Sequence, residues 1–335
     1  MLPVGKLEPG FLHYLLERYT RVDERVLVGA AIGEDATVID FGATCLVAKT
    51  DPITFATDEI GWYAVNVNAN DIAVTGGIPR WFLATLLLPE GRADERLTED
   101  ILRQLATACA EIGVSLCGGH TEVTYGLDRP IVVGQMLGEV SRDGIVTSRG
   151  GRPGDDLLLS KGIAIEATAI IAREKADDLE RRHSAAFLSH CREMLHAPGI
   201  SVLKEARLAV ETARVHAMHD PTEGGLATGV RELALASHCG VVIDEAAIPV
   251  LPETRVLCDE YGLDPLGVIA SGALLLASSP EDTPRIVERW QAAGIAGTVI
   301  GRLVEAGEGL ALVRDGHRRR LPEFRRDEIT RIFEG

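Results

Sequence analysis

From Gly61 to Gly77 the chain runs through small apolar residues and stops on Gly76-Gly77, a pattern that predicts a core-like helix and its end. Inside that helix sit Asn66, Asn68, Asn70 and Asp71. At helical spacing Ala64, Asn68, Asp71 and Thr75 share one face, and Asn66 and Asn70 share another. Carboxamides and a carboxylate in such a helix cost free energy unless they are paired. A bound cation carrying a phosphate would pair them; so would caps on neighbouring loops or a contact between subunits.

At 335 residues the chain is long for one core, so two domains are expected. Gly150-Gly151-Arg152-Pro153-Gly154 marks the break, which gives one domain over 1–150 and another over 151–335. Strands alternate with amphipathic helices on both sides of it, an α+β pattern. The first half predicts strands at 45–49, 81–88, 114–117 and 131–140, and a helix over 97–112 with Leu97, Ile101, Leu105 and Ala108 in one stripe. The second predicts strands at 157–159, 241–244, 267–277, 298–304 and 310–313, with helices over 163–173, 227–237 and 281–293 and a charged helical stretch over 177–195.

Against 50 Asp and Glu stand only 34 Lys and Arg, a net charge of -16. Such a surface repels nucleic acid and anionic membranes, so neither is an expected partner. Cys45, Cys109, Cys117, Cys191, Cys239 and Cys258 form no Cys-x-x-Cys pair, and they read as free thiols of a reducing compartment. No basic start with an apolar run opens the chain, and no stretch has the apolar length of a membrane span; a cytoplasmic protein is expected.

Five loops carry candidate chemistry. Lys6 lies on a flexible arm, where it can close over a phosphate or remain a solvated lysine. Gly33-Glu34-Asp35-Ala36 opens a strand, as a metal loop presenting Asp35 or as a plain turn. Strand 45–49 delivers Thr50 and Asp51, and Pro52 holds Asp51 extended. Gly118 and Gly119 allow close backbone approach beside His120, Thr121 and Glu122, although a glycine turn with a hydrogen-bonded histidine has the same sequence. In His219-Asp220-Pro221-Thr222-Glu223-Gly224-Gly225, Thr222 suits a helix N-cap, and the glycines leave amides unshielded for an anion beside Asp220.

Taken in order, Gly33-Glu34-Asp35-Ala36, Thr50-Asp51, Asn70-Asp71-Ile72, Gly118-Gly119-His120-Thr121, Pro153-Gly154-Asp155 and Asp220 to Leu226 resemble the superfamily of aminoimidazole ribonucleotide (AIR) synthetase, the PurM-like proteins. That resemblance implies a two-domain α+β fold: an N-terminal α/β domain that forms a barrel with its copy in a homodimer, and a C-terminal α/β sandwich. It implies ATP in a cleft beside the dimer interface and Mg2+ held by aspartates. Carried onto this chain, it names Asp35, Asp51, Asp71 and Asp220 for the metal. Lys6, Asp35, Thr50, Asn68, Gly118, Gly119, Thr121, Thr222 and Gly224 are its candidates for the nucleotide, and His120 and Asp220 for catalysis.

Within the superfamily, His219 to Leu226, Ile248 to Val250 and Gly262 to Leu266 are most similar to the hydrogenase maturation protein HypE, which dehydrates a carbamoyl group on its own C-terminal cysteine. Here the chain ends Arg331-Ile332-Phe333-Glu334-Gly335 with Cys258 as its last cysteine, so that reaction is not expected in its usual form. Ala270-Ser271-Gly272 replaces Asn-Glu-Gly, and His120 stands where HypE and thiamine-monophosphate kinases place Asp. Selenophosphate synthetases share Gly-Gly-His-Thr, but their N-terminal reactive cysteine has no counterpart here. The resemblance thus implies ATP- and Mg-dependent phosphoryl transfer to, or dehydration of, a small-molecule acceptor. A nucleotide-binding maturation or scaffold protein serving a partner, and a thiamine-monophosphate kinase, are the alternatives.

Overall fold

The computed structural model describes residues 7–54 and 58–333, which form two compact units. Lys6 lies outside the described residues. The smaller unit comprises residues 22–29 and 35–145; the larger takes residues 146 onward with 30–34 and the described part of 1–21, including helix α1 (Pro9–Tyr19).

Six strands build the sheet of the smaller unit: β1 (Val26–Val28), β2 (Thr37–Asp40), β3 (Cys45–Ile53), β4 (Ile78–Pro89), β5 (Ser115–Thr124) and β6 (Ile131–Val140). Their order is β1-β2-β3-β6-β4-β5, antiparallel throughout except for parallel β4 and β5, which need the crossover helix α3 (Glu95–Glu111) between them. Asp94 caps α3 by accepting the Leu97 N–H at 2.7 Å, and Ile101, Leu105 and Ala108 bury the expected stripe. Helix α2 (Ile60–Val74) is buried along its whole length except at Trp62, because its small residues let it lie between the sheet and α3. On β6, a Cβ added at Gly134 would stand 2.3 Å from Asn68 Nδ2, so glycine makes room for the helix.

β3 extends beyond the expected strand and runs through Asp51 and Pro52, both paired with β6. β2 pairs only as far as Ala48, which leaves one edge of β3 open where a proline is tolerated. β5 also corrects an expectation, for Gly118 to Thr124 continue the strand rather than forming a loop. At Gly119 (φ +148°) an added Cβ would fall 1.9 Å from the Ala84 carbonyl oxygen of β4. That glycine serves the neighbouring strand.

In the larger unit β7 (Asp156–Ser160), β8 (Val215–His219), β9 (Gly240–Asp244), β10 (Leu275–Ser278), β11 (Gly297–Val304), β12 (Leu310–Arg314) and β13 (His317–Arg320) form a sheet in the order β13-β12-β9-β11-β7-β10-β8. Helices α4 (Ile165–Glu174), α5 (Ala176–Leu179), α6 (Ala185–Glu193), α7 (Leu203–Thr212), α8 (Gly225–Ala236), α9 (Pro252–Tyr261) and α10 (Thr283–Ala292) accompany it. Leu226, Val230 and Leu233 of α8 pack on Leu157, Val241 and Ile300 of the sheet. A second core joins α4, α6 and α9 to Ile329 and Ile332 near the end of the chain.

The strand expected over 267–277 shrinks to β10. The amides of Gly267, Ile269 and Ala270 bond instead to Asp264, Asp327 and Thr222, so none is left for a ladder. The helical stretch expected over 177–195 divides into α5 and α6, and α9 was not anticipated, although Pro252 at its start and Gly262 at its end are the ordinary signals. Among the described residues no helix is long and apolar enough to cross a membrane.

Candidate functional site

In the smaller unit, β3 and α2 bring two of the expected carboxylates to one cation. Lys49 Nζ lies 3.6 Å from Asp51 Oδ2 and 3.3 Å from Asp71 Oδ1. The sequence marks Lys49 only as the end of the strand expected over 45–49. Alternation along β3 explains the placement: residues two apart share a face, so Lys49 and Asp51 point the same way, toward the helix that carries Asp71. Two carboxylates about 4 Å apart repel by roughly 4 kcal/mol at an effective dielectric near 20. Lys49 offsets part of that repulsion.

Asn68, fully buried, donates Nδ2–H to the carbonyls of Asp51 (3.3 Å) and Ala64 (2.8 Å). It thereby fixes β3 against α2. Its Oδ1 is buried and has no hydrogen-bond partner among the described residues, so the face carries acceptor capacity to spare. Thr50 donates to the Gly134 carbonyl at 2.9 Å, securing the same stretch of β3 to β6. Asn66 and Thr75 turn back on their own helix, to the carbonyls of Trp62 and Ile72. Asp35 is half-buried in the loop that enters β2. The Asp51 and Asp71 carboxylates and the Asn68 carbonyl are oxygen groups, the kind of ligand magnesium takes.

His120 is exposed on the edge strand β5, its Nε2 3.2 Å from Glu122 Oε2, two residues along the same strand face. Gly118, Gly119 and Thr121 line the same edge. Among the described residues His120 pairs with Glu122 and not with the Lys49 group.

In the larger unit Asp220 follows β8 and is 2% exposed, while the adjacent His219 places Nε2 3.0 Å from Glu232 Oε2 on α8. The N-cap of α8 departs from expectation. Gly224 (φ +78°) occupies it, and Thr222 contributes its carbonyl, which accepts the N–H of Gly225 (3.0 Å) and Ala270 (3.2 Å). The Gly224 N–H is not open to an external anion: Asp327 Oδ2 accepts it at 2.7 Å. Asp327 Oδ1 accepts the N–H of Ile269 (3.1 Å) and Ile329 (2.8 Å). Burial pushes the Asp327 carboxyl up to about 6, despite these three bonds, and the charge of Glu223 adds to the rise. Nothing local in the sequence marks Asp327, since the amide it caps lies 103 residues earlier.

Cys258 is buried in α9, and burial raises its thiol to about 12. It is therefore no nucleophile at neutral pH.

Residues 33–140 match the model of the AIR synthase related protein, N-terminal domain, and residues 152–313 that of the C-terminal domain. The carbamoyl dehydratase HypE of Cupriavidus necator is 32% identical over 78% of this chain and 73% of its own. A selenide, water dikinase of Nitratidesulfovibrio vulgaris is 33% identical over 80% and 75%. In three dimensions, the hydrogenase maturation protein HypE in complex with ATP superposes with a TM-score of 0.72 at 23% identity, covering 94% of this chain and 91% of that one, a likeness of fold.

Proposed function

The chain belongs to the AIR synthase related family, and from that premise we propose that it is an ATP- and magnesium-dependent enzyme that phosphorylates or dehydrates a separate small-molecule acceptor. The observation that carries this reading is the convergence of Asp51 and Asp71 on Lys49, a concentration of carboxylate that a divalent ion and a nucleotide phosphate would complete. Asp35, Asp51, Asp71 and Asp220 would hold the ion. When bound, magnesium supplies neutralisation of the phosphate charge.

The chain's own residues do the rest. Lys49 balances the carboxylates before the nucleotide arrives. Asn68 and Thr50 hold β3 in place through the bonds described above, which keeps Asp51 in register with Asp71. Lys6, Gly118, Gly119, Thr121 and Thr222 complete the proposed nucleotide set, without Gly224, whose amide Asp327 already holds, and with His120 and Asp220 in the catalytic roles; His120, exposed beside Glu122, can take the acceptor's proton. In this reading residues 1–150 carry the nucleotide and pair with a second copy, and 151–335 form the other domain. Pairing draws support from β5, an edge strand exposed along nearly its whole length, and from exposed Ile78, Trp81 and Val123. A separate acceptor is favoured over Cys258, the last cysteine of the sequence, because Cys258 is buried and burial raises its thiol to about 12.

Isothermal titration of Mg-ATP into wild type, Asp51→Ala and Asp71→Ala tests the assignment. Loss of binding in both variants is expected, and unchanged binding in both would remove its basis. Acceptor-dependent release of ADP then separates an enzyme from a nucleotide-binding scaffold.

A further inference from the structure

Beyond residue 313, where the family match ends, the chain returns to the loop that carries Asp220. Phe324 lays its ring over Gly267, where an added Cβ would meet it at 2.6 Å, and the Glu328 N–H bonds to the Gly267 carbonyl at 3.0 Å. Leu321, Ile329 and Ile332 are buried. Between these anchors the carboxylate of Asp327 holds three backbone amides from three segments: Gly224 of the loop, Ile269 of the stretch behind it, and Ile329 of its own chain. The stretch behind is bonded to the loop in turn, through Ala270 N–H to the Thr222 carbonyl and Ala227 N–H to the Leu266 carbonyl. Asp220 therefore stands on a loop whose two supports are both tied to one side chain.

We propose that Asp327 is a positioning residue for Asp220: its carboxylate, bonded to Gly224 and Ile269, sets the loop geometry on which metal binding by Asp220 depends. The inference rests on the assignment of Asp220 as a magnesium ligand. An amide in place of the carboxylate turns an N–H donor toward one of the backbone donors it should accept, so the loop loses at least one tie while the bulk of the side chain is kept. The hydrophobic anchors stay in place.

The test measures ATP binding to the full-length protein across a magnesium titration, for wild type and for Asp220→Asn, Asp327→Asn, Asp327→Glu and Phe324→Ala. Asp327→Asn is expected to raise the magnesium half-saturation roughly ten- to hundredfold, the range found when a partner that orients a metal ligand from behind is removed. Phe324→Ala loosens the tail without touching the carboxylate; it should lower the melting temperature and leave the magnesium requirement where it was. If Asp220→Asn shifts the requirement and Asp327→Asn does not, the positioning role is overturned while the functional reading stands. An unchanged Asp220→Asn removes Asp220 from the metal set and overturns the positioning role with it, while the reading carried by Asp51 and Asp71 is decided by their own variants. Should Asp327→Asn fail to fold, Asp327→Glu, which keeps the charge but moves the oxygens by a methylene, decides: an unchanged magnesium requirement in that variant also overturns the proposal.

Discussion

Lys49 Nζ lies 3.3 Å from Asp71 Oδ1, and the lysine side chain is 21% exposed while the aspartate is 6% exposed. A pair this sheltered is costly to break from one side, because the remaining carboxylate stays shielded from water with one counter-charge fewer. Lys49→Met should destabilise the metal-free protein by about 1–3 kcal/mol, discounted for its partial exposure. Added magnesium should recover more of the melting temperature in the variant than in wild type. Thermal denaturation with and without the ion reads both effects, and an equal response would mean that the carboxylates do not share a cation.

Gly134 is the point where β6 gives way to α2. Gly134→Ala would press a methyl group on Asn68 Nδ2 and, at 2.8 Å, on the Phe82 ring. Overpacking of this kind costs about 1–3 kcal/mol. Urea unfolding should show a lower midpoint with the slope unchanged.

The Asp327 carboxyl titrates near 6 when folded, against 3.8 as its ordinary value. Between those two pH values the folded protein holds more protons than the unfolded chain, so this group's contribution to stability is fully present below about 3.8 and is lost as pH rises through 6. In wild type minus Asp327→Asn, stability should therefore fall by about 2 kcal/mol from pH 4 to pH 7. A flat difference would place the carboxyl in the ordinary range.

Cys117 is the exposed cysteine, on β5, whereas the other five are buried and burial pushes the thiols of Cys109, Cys191 and Cys258 up to about 11, 12 and 12. Iodoacetamide at neutral pH should label Cys117 first in dilute protein, as read by peptide mass spectrometry. If β5 is the pairing edge, labelling slows as concentration rises through the dimerisation range. A rate independent of concentration would count against pairing there.

Periodicity revealed β6, α3 and the helix that became α8, because each buries a stripe whose spacing is local. The polar residues inside α2 pointed to a site for the same reason: an uncompensated cost is visible in sequence. What compensates it was not visible. Lys49 meets Asp71 only after β3 and α2 are folded together, and the residue at the N-cap of α8 is Gly224, its amide held by Asp327, rather than Thr222. Likewise, 267–274 has the hydrophobicity of a strand, yet the amides of Ile269 and Ala270 are spent on Asp327 and Thr222, far off in the chain, and those of Gly267 and Ala273 on local turns. Composition records which groups need partners, and tertiary structure supplies them.

Because the Gly224 amide, just ahead of α8, is closed by a side chain 103 positions downstream, synthesis of the family-matched region is not enough to finish the Asp220 loop. A nascent chain released at residue 313 would possess every strand of the sheet except β13 and still present that loop unlatched. Completion of that loop thus waits for the segment that carries Asp327 to be made.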